Sequence, residues 1–211
     1  MLEELKKDVI KVAIECDERR LTNPKTGNFS ARDPETGYFV MTPTGCYKED
    51  MVPDDILVLD LDLNIIENIN NRGLSVAAAM HACCYKNRAD AMGVVHTHSK
   101  FTSVFGAMGK EIPNVHNDAL HYGARTIVVP YNTTDSQELL VDIEKALPQT
   151  DFILIEKLGT LTVANSVRKA LTHAIHAEQV AEVAVMLKLY TGKEPDLIPL
   201  EQYEKQFYHR S

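Results

Sequence analysis

Apolar positions recur at two different periods along this chain of 211 residues, and the changes of period lay out its elements. Leu2, Leu5, Val9, Val12, Ala13 and Cys16 fall at helical spacing and predict a helix over residues 2–19. Residues 20–36 are rich in Thr, Asn, Pro, Gly and Asp and read as a loop. Short apolar runs at 38–42, 56–61, 65–67, 92–98, 126–131, 152–156 and 160–164 predict strands, with 56–61 and 65–67 paired as a hairpin across Asp62-Leu63-Asn64. Ser75 caps a predicted helix to about residue 87, and another helix follows from Ser99. Asp135 and Glu138 read as a capping box for a helix to about residue 147. A long helix runs from near Ser166 to about residue 190, and a last short one covers roughly 199–208. Strands interleave with helices, yet several strand neighbours are hairpins. The expectation is an α/β fold with a mixed or antiparallel sheet covered by helices on both faces. No internal repeat or Pro/Gly/Ser-rich linker interrupts the chain, so one domain over 1–211 is expected.

Composition narrows the function classes. The formal charge is −8 and the sequence pI about 5.5, which argues against a nucleic-acid partner. No apolar stretch approaches the length of a membrane span, so no membrane association is expected. The first twenty residues are charged and amphipathic, without the apolar core of a signal peptide, and a cytoplasmic location is expected. Cys16, Cys46, Cys83 and Cys84 show no C-x₂-C spacing and read as reduced thiols. The adjacent Cys83 and Cys84 sit mid-helix in an apolar stretch, where packing is their expected role.

Candidate chemistry concentrates at His96-Thr97-His98. In a strand, residues i and i+2 face the same side, so both imidazoles point at one spot, within a metal ion's reach. Two solvated polar residues at a strand end fit the same spacing. Gly27-Asn28 and Thr42-Pro43-Thr44-Gly45 are turns rich in backbone N–H and hydroxyl donors. With the helix start at Ser75 they make an anion cradle, or they are ordinary loop punctuation. His173 and His176 stand at i, i+3 on the long helix and suit either a metal or a surface. His116 and His121 lie in PNVHNDALHYG, a segment with few periodic cues. The charged run 201–205 reads as a solvated helix face.

Seven segments in order resemble the class II aldolase/adducin family, especially its bacterial fuculose-phosphate aldolase branch. They are GNFSARD (27–33), MTPTG (41–45), DILVLDLDLNIIE (55–67), MHACCYKNRADAMGVVHTHS (80–99), KEIPNVH (110–116), IVVPY (127–131) and GTLTVANSVRKAL (159–171). The resemblance spans roughly residues 5–190. It implies a three-layer α/β/α fold with a central mixed, largely antiparallel sheet, and a homotetramer with sites between subunits. It implies a phosphate pocket of Gly27, Asn28, Thr44, Gly45 and Ser75 for a small phosphorylated sugar. It places His96 and His98 on two of three zinc histidines, Zn²⁺ being the cofactor that holds charge developing on an enediolate. A tyrosine near the C-terminus assists from a neighbouring subunit, and Tyr208 is the candidate. Asp118 is a candidate catalytic acid, because epimerase relatives place an acid in this region.

The chain departs from the family pattern at the positions that carry chemistry. Leu74-Ser75-Val76-Ala77 stands where the family has its P-S-S/V-E pattern, so Ala77 takes the place of the acid/base glutamate. Lys157-Leu158-Gly159 stands for N-H-G, so Leu158 takes the place of the third histidine. Asn117 stands for a tyrosine. Lys157 puts a cation near the metal position if it turns inward; otherwise it meets solvent or a substrate anion. Three readings follow. The chain is a metal-dependent lyase or epimerase whose site is completed by groups such as His116, Asp118 or His121. Or it is a catalytically dead binding module, like adducin's head domain. Or it is a different enzyme on the same fold.

Overall fold

The computed structural model describes residues 1–202. Eight strands form one sheet in the order β4-β3-β2-β1-β5-β8-β7-β6. They are β1 (Asn28–Arg32), β2 (Phe39–Met41), β3 (Leu57–Leu59), β4 (Ile65–Glu67), β5 (Gly93–Thr97), β6 (Ile127–Val129), β7 (Phe152–Ile155) and β8 (Gly159–Ala164). Every neighbouring pair is antiparallel except β6 and β7, which are parallel. The helices are α1 (Glu3–Glu18), α2 (Ala78–Asn87), α3 (Lys100–Met108), α4 (Gln137–Ala146) and α5 (Val167–Thr191).

Strand alternation assigns the layers. Val94, Leu161, Ile153 and Ile155 pack with Met80, Cys84, Leu139 and Ile143, so α2 and α4 cover one face. Val95 packs with Val9, Val12 and Leu171 on the other face, and Phe152 and Leu154 pack there with Phe105 and Val180. Helices α1, α3 and α5 therefore form the third layer. The central strands β5, β7 and β8 are buried on both faces, which explains their continuous apolar runs. The expected three-layer architecture is what forms.

Three local expectations need correction. Residues 28–32 are a central strand, not loop. Phe29 and Ala31 face α1, while the inward Ser30 is satisfied by His81 and Tyr85, so polar residues sit where alternation alone expects apolar ones. Helix α4 is capped by Ser136, whose hydroxyl accepts from the Leu139 N–H at 3.2 Å, so the Asp135–Glu138 box does not form. Helix α2 begins at Ala78, with Ser75 in the turn before it, its hydroxyl accepting from the Ala77 N–H at 3.3 Å. The long helix starts next to Ser166 as expected, with the Ser166 hydroxyl accepting from the Lys169 N–H, and Cys83 and Cys84 pack in the core as expected. The short terminal helix is seen over 200–202, and its expected remainder lies outside the described residues.

Candidate active site

The end of β5 meets the start of β1, the end of β2 and the start of β8 along one edge of the sheet. Antiparallel register sets Asn28 opposite His96, and His96 opposite Leu161. His96 shares the α2 side of β5 with Val94. Its Nδ1–H donates to the Thr160 carbonyl at 2.8 Å, which fixes the tautomer and makes Nε2 the acceptor atom of the ring. His98 Nε2 lies 3.0 Å from His96 Nε2, with the rings edge to face at 72°. Both nitrogens converge on one spot. Burial, with the neighbouring His98 next, pushes the His96 pKa down to about 3. His98 is also held below the usual imidazole range, first by burial and then by the Lys48 ammonium. Lys48 is itself buried and paired with Asp17 at 2.9 Å.

Backbone geometry packs this corner tightly. Gly159 has φ +148°, and a side chain there would strike the Thr97 carbonyl and crowd the His96 ring at 3.3 Å. Gly27 has φ +76°, and an added Cβ would strike the Thr22 methyl and sit 3.0 Å from the His96 carbonyl. The two expected turns are brought together beside it. Phe29 N–H donates to Thr42 Oγ1 at 3.1 Å, and Thr44 N–H donates to the Gly73 carbonyl at 3.0 Å. That second bond ties the Thr44–Gly45 turn to the segment carrying Ser75. Gly45 also borders a small cavity with Arg72, whose guanidinium is spent on Asp55 at 2.6 Å.

Sequence reasoning missed His81, which holds the cradle from behind. Its Nε2–H donates to Asn28 Oδ1 at 3.0 Å, and its Nδ1 accepts from the Ser30 hydroxyl at 2.6 Å. Ser30 in turn accepts from the Tyr85 hydroxyl at 2.7 Å. This chain leaves the Asn28 NH₂ without a partner among the described residues, ready for an anion. Burial, with His96 next, lowers the His81 pKa to about 3, so the ring stays neutral and keeps this donor pattern. A lone histidine inside the apolar run MHACCY was the available signal.

Ala77 lies one helical turn before His81 and is fully buried, and Leu158 packs against the same apolar cluster. Neither offers a donor atom. A catalytic zinc site keeps three protein ligands and an open position. The residues present supply two imidazoles, so they do not fit that site within one chain. Lys157 is exposed at φ +54°. Asp118 and His121 fall on the other side of the sheet, where their 3₁₀ turn Asn117–Tyr122 packs against Phe152, Leu154 and α5. They stand beside His176 and not beside His96. Tyr208 lies outside the described residues.

Comparison with known proteins agrees with the fold and the order of motifs. The profile of the family described as "Class II Aldolase and Adducin N-terminal domain" matches residues 7–185. The chain belongs to this family. It is 28% identical over 184 residues to the 5-deoxy-D-ribulose 1-phosphate aldolase of Bacillus thuringiensis serovar kurstaki, covering 87% of this chain and 84% of that one. It is 25% identical over 214 residues to the L-ribulose-5-phosphate 4-epimerase UlaF of Salmonella paratyphi C, covering 96% and 92%. A solved L-fuculose 1-phosphate aldolase superposes with a TM-score of 0.89 at 25% identity, covering 97% of this chain and 96% of that one. Among the described residues no helix is long and apolar enough to cross a membrane.

Proposed function

We propose that this chain is a class II aldolase-like protein that binds a small phosphorylated sugar and cleaves it weakly at most. Gly27, Asn28, Thr44, Gly45 and Ser75 hold the phosphate with backbone N–H groups, hydroxyls and the Asn28 amide. His96 and His98 meet the far end of the sugar. One observation supports the reading: the His96 and His98 nitrogens converge at 3.0 Å, while Ala77 and Leu158, the residues that the family resemblance sets at the acid/base and third-ligand positions, neither bind a cation nor move a proton. General acid–base catalysis contributes roughly 10²–10⁴-fold, and Ala77 removes that route. A divalent ion such as Zn²⁺ on two histidines is held far more weakly than on three. The reading includes a homotetramer with sites between subunits. Asp118 lies across its own sheet from the cleft, so it serves a cleft only from a neighbouring copy.

A second reading, sugar-phosphate lyase or 4-epimerase activity on a loosely held metal, is favoured by the Thr160 carbonyl. It fixes His96 in the tautomer a metal ligand needs. Thermal unfolding with dihydroxyacetone phosphate or glycolaldehyde phosphate tests the main reading. Stabilisation is expected in the parent and loss of it in Asn28→Ala and Ser75→Ala; equal shifts in all three chains would remove the cradle. Retro-aldol turnover at the rate of a fully liganded aldolase would favour the second reading over the first.

A further inference from the structure

We propose that Asp118, His121 and His176 form a second divalent transition-metal site, on the sheet face opposite His96 and His98. Local geometry builds the chelate. In a 3₁₀ helix, side chains at i and i+3 eclipse, so the turn Asn117–Tyr122 stacks Asp118 and His121 on one side. Helix α5 presents His176 to that side. One ligand atom from each of the three side chains lies within 4.8 Å of the others.

One of the three ligand side chains is short of a partner, and the carboxylate Oδ2 of Asp118 sits between His176 Nδ1 at 3.5 Å and His116 Nδ1 at 3.6 Å. His176 Nδ1 is shut off from solvent and makes no hydrogen bond among the described residues. It faces Asp118 Oδ2 at 3.5 Å, at the far limit for a direct bond. Two donors that each sit about 2 Å from a tetrahedral ion are separated by a little over 3 Å, which matches that gap. The His121 and His176 rings stack at 3.8 Å and 17°, so one ring must turn out of the stack for both lone pairs to meet on one ion. His116 is not counted, because its Nδ1 already accepts from the Asp118 N–H at 3.3 Å.

Two imidazoles and one carboxylate suit Zn²⁺, Co²⁺ or Ni²⁺ in preference to Mg²⁺ or Ca²⁺. Such an ion would cross-link the 3₁₀ turn to α5, a structural role that leaves a position for water. This inference does not rest on the sugar-phosphate reading.

The test uses the full chain stripped of metal, titrated with Co²⁺ by visible absorption and with Zn²⁺ by competition. A His96→Ala/His98→Ala variant is expected to keep one equivalent of Co²⁺. Adding His176→Gln should weaken that binding at least about a hundredfold. Zn²⁺ at about a hundredfold excess over its Kd should raise the melting temperature of the strand-histidine variant by roughly 5 °C. If that variant does not fold, the parent is compared with His121→Ala and His176→Gln, each of which should bind one equivalent fewer. No Co²⁺ on the strand-histidine variant, or unchanged stoichiometry in His176→Gln, overturns the site.

Discussion

On the proposed reading, a single imidazole at position 158 separates this chain's cleft from a three-histidine metal site. Leu158 packs on the apolar layer that also holds Ala77, and its neighbour Gly159 presses against the His96 ring. Leu158→His is therefore expected to raise Zn²⁺ affinity at least about a hundredfold, roughly 3 kcal/mol, because two convergent nitrogens become three. Competition against a chelating dye measures it. Affinity equal to the parent's would show that position 158 does not reach the pair. His81 is the residue-scale lesson in the other direction. Nothing in MHACCY distinguishes a core histidine from a functional one; only its bonds to Asn28 and Ser30 do.

Elements locate the cleft by how they end. Strand β5 stops where β8 starts, and the crossing has no room for a side chain at Gly159, which also holds a positive φ. Gly159→Ala would force a Cβ into the Thr97 carbonyl, a backbone atom that cannot swing aside. A loss of about 2–4 kcal/mol is expected in urea unfolding. A loss under about 0.5 kcal/mol would mean the strand start moves freely. Strand β1 escaped the sequence reading for a related reason. Its inward Ser30 is polar, and its partners come from a helix more than fifty residues away in sequence.

At the scale of the molecule, the last turns of α5 leave apolar surface uncovered. Met186 is 54% exposed, Leu189 74% and Tyr190 93%, beside an open groove that also involves Ile175 and Val183. Contiguous apolar surface of this kind marks a contact face. The proposed homotetramer predicts that the parent sediments as an oligomer and that Leu189→Glu with Tyr190→Glu shifts it to smaller species. A parent that runs as a monomer at micromolar concentration would remove the assembly.

Periodicity and cap residues located the α-helices and all strands but one, because a core forces apolar residues into the period of the element that carries it; the 3₁₀ turn Asn117–Tyr122 was not expected. Motif order carried the family, and the proposal that Ala77 and Leu158 replace two of its site residues comes from the sequence as well. Which side chains meet was decided by the fold alone. The pleat sends His96 toward α2 while the turn with Asp118 and His121 packs on α5, because alternate positions of a sheet face opposite layers. Residues that look like one histidine-rich supply in the sequence are thus parted by the thickness of the sheet.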